Sequence, residues 1–143
     1  MNTSVTLETM NDLVKGEMSG VETYQQALSK VDGASEAPKI EAILNEHKEA
    51  VSKLRNSVEK LGASPAEGPG AWGAFVKSVA GTAKLFGNTA ALKALKEGEE
   101  YGVKQYQGAL DTTELDEDCK RLIRDDLLPQ TERHVEEIDR LMS

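Results

Sequence analysis

Apolar residues return along this chain every three or four positions. From about Val5 to Val31 one face carries Met10, Leu13, Val21, Tyr24 and Leu28. That spacing predicts a long amphipathic helix, opened by Thr3 or Ser4 and stopped by Asp32-Gly33. A second helix is predicted from Ser35 to Leu61, with Ser35 as N-cap, Pro38 in the first turn and Gly62 just past the end. GASPAEGPG (residues 62–70) reads as a turn-rich linker. Trp72, Phe75, Val76, Val79, Ala83 and Phe86 then share one face of a shorter helix, about 71–86. Asn88 or Thr89 caps a further helix that ends near Leu110. The last begins after Thr112-Thr113 and runs nearly to Ser143. Pro129 lies inside it and is expected to kink it, because proline lacks an N–H and crowds the preceding turn. The acidic run Glu114–Asp118 favours the start of that helix through its dipole.

The pattern is written twice. KGEMSGVETYQQAL (15–28) returns as EGEEYGVKQYQGAL (97–110). Gly16, Glu17, Gly20, Val21, Tyr24, Gln25, Ala27 and Leu28 recur as Gly98, Glu99, Gly102, Val103, Tyr106, Gln107, Ala109 and Leu110. The second and fourth long helices also align. Ile40, Leu44, His47, Val51 and Leu54 fall against Leu127, Thr131, His134, Ile138 and Leu141. The chain is therefore expected to form an all-α four-helix bundle from two duplicated hairpins, 5–61 and 89–143. A long crossover, 62–88, joins them in one domain.

The duplication also isolates the unusual residues. Glu17 and Glu99 interrupt otherwise apolar faces, as do His47 and His134, the chain's two histidines. Each hairpin offers one Glu and one His to the bundle centre, with Tyr24 and Tyr106 two turns beyond the glutamates. Two carboxylates and two imidazoles suit one Fe, Mn or Zn ion, with water completing its shell. The same four side chains could instead satisfy one another, as Glu17–His47 and Glu99–His134 pairs.

These residues resemble the ferritin-like superfamily, in which two helices each give a Glu and two give Glu-x-x-His to a pair of metal ions. The resemblance makes Glu17, His47, Glu99 and His134 the ligand positions and Tyr24 and Tyr106 their neighbours. It also marks a departure. The Glu-x-x-His positions read Leu44-x-x-His47 and Thr131-x-x-His134, so both bridging carboxylates are gone. Glu46 is turned about 100° from His47 on the helix and is not expected to replace them. The whole pattern is similar to an uncharacterised bacterial ferritin-like family of unknown function. The shared marks are KGE and EGE, the Pro-containing linker after LG, the crossover Trp, and LPQ-x-x-x-H ending at His134.

Composition narrows the rest. Acidic residues outnumber basic ones, 25 to 17, for a net charge of −8. Such a surface repels phosphate backbones, so no nucleic acid partner is expected. No apolar run spans a bilayer and no signal sequence opens the chain, which predicts a cytoplasmic protein without a membrane partner. The single Cys119 has no base near it in sequence and reads as a packing residue. No catalytic triad, phosphate loop or dinucleotide fingerprint is present. The leading expectation is a non-catalytic or weakly metal-binding bundle. The alternatives are a metalloprotein using Glu17, His47, Glu99 and His134, or an interaction module that forms a homodimer or docks partners through the crossover helix.

Overall fold

The structure is a computed structural model that describes residues 3–31, 35–68, 88–112 and 114–143. The expected crossover helix, with Trp72 and Phe75, lies outside them. So does the Asp32-Gly33 stop. The described elements are helical: α1 (Thr3–Lys30), α2 (Ala37–Lys60), α3 (Asn88–Leu110), α4 (Glu117–Leu122) and α5 (Leu128–Met142). A π-helical segment, Ile123–Leu127, joins α4 to α5. α1 packs chiefly on α2, and α3 chiefly on α5, as two hairpins; α1 and α3 meet less extensively. No helix among the described residues is long and apolar enough to cross a membrane.

The helix ends correct two expectations. Ser35 does not cap α2. Glu36 takes the N-cap place without a side-chain bond, and Pro38 sits in the first turn, where its missing N–H costs nothing. Nor does Thr112 open the last helix, and Thr113 lies outside the described residues. Asp116 opens it, accepting from the Cys119 amide at 3.2 Å, with Glu117 and Asp118 in the first turn. Gly62 behaves as expected. Its φ of 84° lets its own N–H bond Glu59 O and that of Ala63 bond Val58 O, a Schellman closure of α2.

Pro129 does not simply bend the helix. The turns before it widen into the π segment, so Leu128 N–H reaches back to Ile123 O. Proline offers no N–H to the preceding carbonyls, and a wider turn spares them a clash. Ile123 and Leu127 are buried within the segment, and Thr131, His134 and Ile138 are buried after it.

Two apolar clusters fill the interior. One holds Met10, Leu13, Leu54, Tyr106, Ile123 and Leu127. The other holds Tyr24, Ile40, Ile43, Leu44, Leu95 and Ile138. The bundle end is tied by polar bonds. Thr6 Oγ1 donates to Glu114 O and accepts from Asp116 N, and Asn11 Oδ1 accepts from Ala66 N at 2.8 Å.

Cys119 is packed in the first cluster. Burial, then Asp116 beside it, pushes its thiol up to about 12. An ordinary thiol titrates near 8.5, so below that pH the folded protein holds roughly three thousandfold less thiolate. Iodoacetamide at pH 8 should therefore label denatured protein quickly and folded protein slowly. Equal rates would show that Cys119 is not enclosed.

Candidate metal centre

Between the two apolar clusters lies a polar layer. Glu17, His47, Glu99 and His134 are all buried there, at 7%, 6%, 3% and 1% exposure. One comes from each long rod of the bundle. An unpaired charge at this depth would be prohibitive, so the partners matter.

His47 stands between the glutamates. Its Nδ1 is 2.5 Å from Glu17 Oε2 and its Nε2 is 2.5 Å from Glu99 Oε1. Both neighbours are acceptors, so the ring donates from both nitrogens and is an imidazolium. Burial alone would push its pKa down, but Glu99 and Glu17 outweigh that and hold it well above the usual histidine range. Burial raises the Glu99 carboxyl, and the His47 charge more than reverses this, leaving it far below the usual carboxylate range.

The tyrosines cross over. Tyr24 of α1 donates to Glu99 Oε1 of α3 at 2.7 Å, and Tyr106 of α3 donates to Glu17 Oε1 of α1 at 2.5 Å. Antiparallel α1 and α3 place a residue two turns past one glutamate beside the other. Burial, then the facing carboxylate, lifts both hydroxyls well above their normal pKa, so they remain donors.

His134 is held differently. Its Nε2 lies 3.0 Å from Glu46 Oε1, and Glu46 in turn accepts from Arg133 and Gln130. Burial raises the Glu46 carboxyl, but the bonds from His134 and Arg133 leave it lowered. A carboxylate on the outer nitrogen orients a histidine and fixes its tautomer, leaving the inner nitrogen as a lone pair. That inner Nδ1 faces Glu99 Oε2 at 3.4 Å. Neither atom has a hydrogen-bond partner among the described residues, although both are buried. With Nδ1 unprotonated the two are acceptors that a cation would join; with Nδ1 protonated it donates to Glu99 directly. His47, Glu99 and His134 can bring one donor atom each within 4.8 Å of one another.

Of the four expected ligand positions, His47, Glu99 and His134 lie together, and Glu17 joins them through its bond with His47. The expected pairs are both in contact, Glu17 with His47 and Glu99 with His134, and each histidine has a further carboxylate: His47 also takes Glu99, and His134 also reaches Glu46. Glu46 points away from His47 on its own helix, so the periodicity of α2 alone does not place it at the cluster. Its partner is on α5, and the signal was its position facing the other hairpin's histidine. At the expected bridging positions, Leu44 is packed in apolar core and Thr131 bonds its own helix at Leu127 O.

The glycines make room unequally. A Cβ on Gly20 would lie 3.3 Å from His47 Nδ1, whereas one on Gly102 would meet only the Thr131 methyl at 3.4 Å. His47 cannot yield without breaking a 2.5 Å bond to Glu17. Gly20→Ala should therefore lose about 1 kcal/mol despite better helix propensity, and Gly102→Ala should gain up to about 1 kcal/mol. Urea titration of both variants checks this; changes of the same sign would contradict it.

Residues 5–112 match a family described as a domain of unknown function, DUF2383. The chain belongs to that family. No curated protein matches it. Among solved structures it is similar to a ferritin-like, diiron-carboxylate protein from Bacillus anthracis str. Ames. The two chains cover each other fully, at 18% identity and a TM-score of 0.77. At that identity the likeness establishes the fold, which is ferritin-like. Among its described residues this member of DUF2383 has helices and no strand, as its repeat predicts, and carries a buried Glu/His cluster compatible with metal binding.

Proposed function

We propose that this protein binds a single Fe, Mn or Zn ion through Glu99, His134 and His47, with Glu17 as a further donor. The observation that carries this reading is the facing pair, Glu99 Oε2 and His134 Nδ1, buried, 3.4 Å apart and without a hydrogen bond among the described residues. Buried acceptors without donors are rare and costly, and a cation relieves both at once. Two imidazoles with carboxylate oxygen suit borderline divalent metals better than Ca or Mg. The solved relative's name speaks of two irons. Here Leu44 and Thr131 offer no carboxylate to sit between two cations, which favours one ion. A bound ion of this kind supplies Lewis acidity and, for Fe or Mn, redox capacity. No reaction is assigned to it.

In the metal-free state the His47 imidazolium occupies the electrostatic role of a cation between Glu17 and Glu99. Ligation by His47 requires loss of a ring proton, so affinity should rise with pH as protons cease to compete. Titrating the metal-free protein with Fe(II), Mn(II) or Zn(II) should give saturation at one ion per chain, with proton release. At free metal 100 times Kd, about 2.7 kcal/mol of stabilisation follows. His134→Ala should abolish it. Absence of saturable binding for all three metals sinks the proposal.

A further inference from the structure

Beside the cluster, α1 and α3 separate to leave a cavity of about 380 Å³. That volume is within the range of small-ligand sites. Its walls are glycine backbone at Gly16, Gly20 and Gly102, the rings of Tyr24 and Tyr106, and Leu95. At its rim stands Tyr101, which is 53% exposed. An added Cβ at Gly102 would meet only the Thr131 methyl, at 3.4 Å, the edge of ordinary contact, so this wall is less crowded than those at Gly16 and Gly20.

The cavity also contains a polar atom with nothing to bond. Thr23 lines it and is 2% exposed, yet its Oγ1 has no partner among the described residues. The repeat sharpens this point. The counterpart of Thr23 in the second hairpin is Gln105, whose Nε2 reaches across to Asp12 O at 3.1 Å. Gln105 thereby ties α3 to α1 at one end of the cavity, in space that a side chain at Gly16 would obstruct. Threonine is too short to make the matching tie. One end is strapped, and the other presents a spare hydroxyl.

Charge limits what could enter. Glu17, Glu97 and Glu99 line the cavity against one cation, the His47 imidazolium that already bonds two of them, and no Lys or Arg does among the described residues, so the lining is net negative. An anion would meet like charge at low dielectric. Flat walls of glycine and aromatic ring favour a flat guest.

We propose that this cavity binds a small uncharged aromatic molecule, one ring in size, whose hydroxyl or amino group hydrogen-bonds Thr23 Oγ1. Binding of this kind does not require an ion at the cluster.

Phenol, toluene and benzoate are the probes, titrated into the full chain and followed by amide shifts in ¹H–¹⁵N NMR. Phenol should saturate at one per chain and perturb amides around Thr23 and Gly102. Benzoate should bind at least about tenfold more weakly, because like charge in a buried site costs several kcal/mol. Thr23→Val, which keeps the shape and loses the hydroxyl, should weaken phenol about 2- to 10-fold, the range of one net hydrogen bond. Toluene affinity should stay unchanged in that variant. Gly102→Leu, which improves helix propensity while filling the cavity, should abolish phenol binding. His134→Ala should lose metal but keep phenol, so the two readings fail separately. The proposal is overturned by an absence of saturable phenol shifts, by benzoate binding as well as phenol, or by unchanged phenol affinity in Thr23→Val.

Discussion

Replacing Glu99 by alanine should cost the metal-free protein about 3–5 kcal/mol, the range seen when one partner of a buried ion pair is removed. Glu99 Oε1 accepts from both Tyr24 and His47. Its loss strands a buried hydroxyl and one N–H of an imidazolium, and leaves a void between the two apolar clusters. Domains of this kind are stable by only about 5–15 kcal/mol, so the variant should approach its unfolding threshold. Glu99→Gln fills the same volume and keeps one acceptor, so it should cost less.

The pH dependence of this loss has a definite sign. His47 is raised in the folded state, so its contribution is complete below about 6.5 and fades as pH rises through the folded value. Glu99 is lowered, so its contribution is present above about 4.3 and fades as pH falls towards the folded value. Both act together between those limits. Urea unfolding in the presence of chelator at pH 6 should therefore show a larger gap between wild type and Glu99→Ala than at pH 10. A gap under about 1 kcal/mol at pH 6 would mean that the buried network does not support the fold.

The hairpins were legible because burial imposes a period. Met10, Leu13, Tyr24 and Leu95 had to share faces, and duplication repeated the message in α3. The convergence of Glu17, His47, Glu99 and His134 was legible for the same reason: a charged residue on an apolar face must find company in the centre. Periodicity says nothing, however, about which partner is chosen. His47 binding both glutamates depends on rotamers and helix spacing. The bond from His134 to Glu46 depends on how two helices sit side by side, and that distance is not written in either one. The π segment is similar. Pro129 announced a disturbance, but whether a helix bends or widens depends on keeping both Ile123 and Ile138 buried. Asp116 displaced Thr112 as a cap because the connecting turn is held against α1 by Thr6, a long-range contact.

If the proposed single-ion site holds, glutamate placed at both Leu44 and Thr131 should raise its capacity to two ions per chain. These positions are where the ferritin-like resemblance puts its bridging carboxylates, and each lies one helical turn before a histidine of the cluster. The change should be costly without metal. Two further carboxylates would join Glu17 and Glu99 in a site where His47 supplies the positive charge, and buried like charges cannot all ionise. The two substitutions should not cost the same. Thr131 borders the cavity, so a longer side chain there has space and access to water. Leu44 is enclosed among Ile40, Ile43 and Ile138, where a carboxylate loses solvation and displaces packing. Leu44→Glu should thus cost about 3 kcal/mol or more, and Thr131→Glu distinctly less. Metal should reverse the order of stability, because only the double variant offers negative charge between two cations. Elemental analysis after loading with Fe(II) or Mn(II), paired with thermal unfolding with and without metal, reads both effects. If the double variant folds and still takes one ion, then the lost carboxylates are not what limits the site, and the splay of α1 from α3 becomes the feature that does.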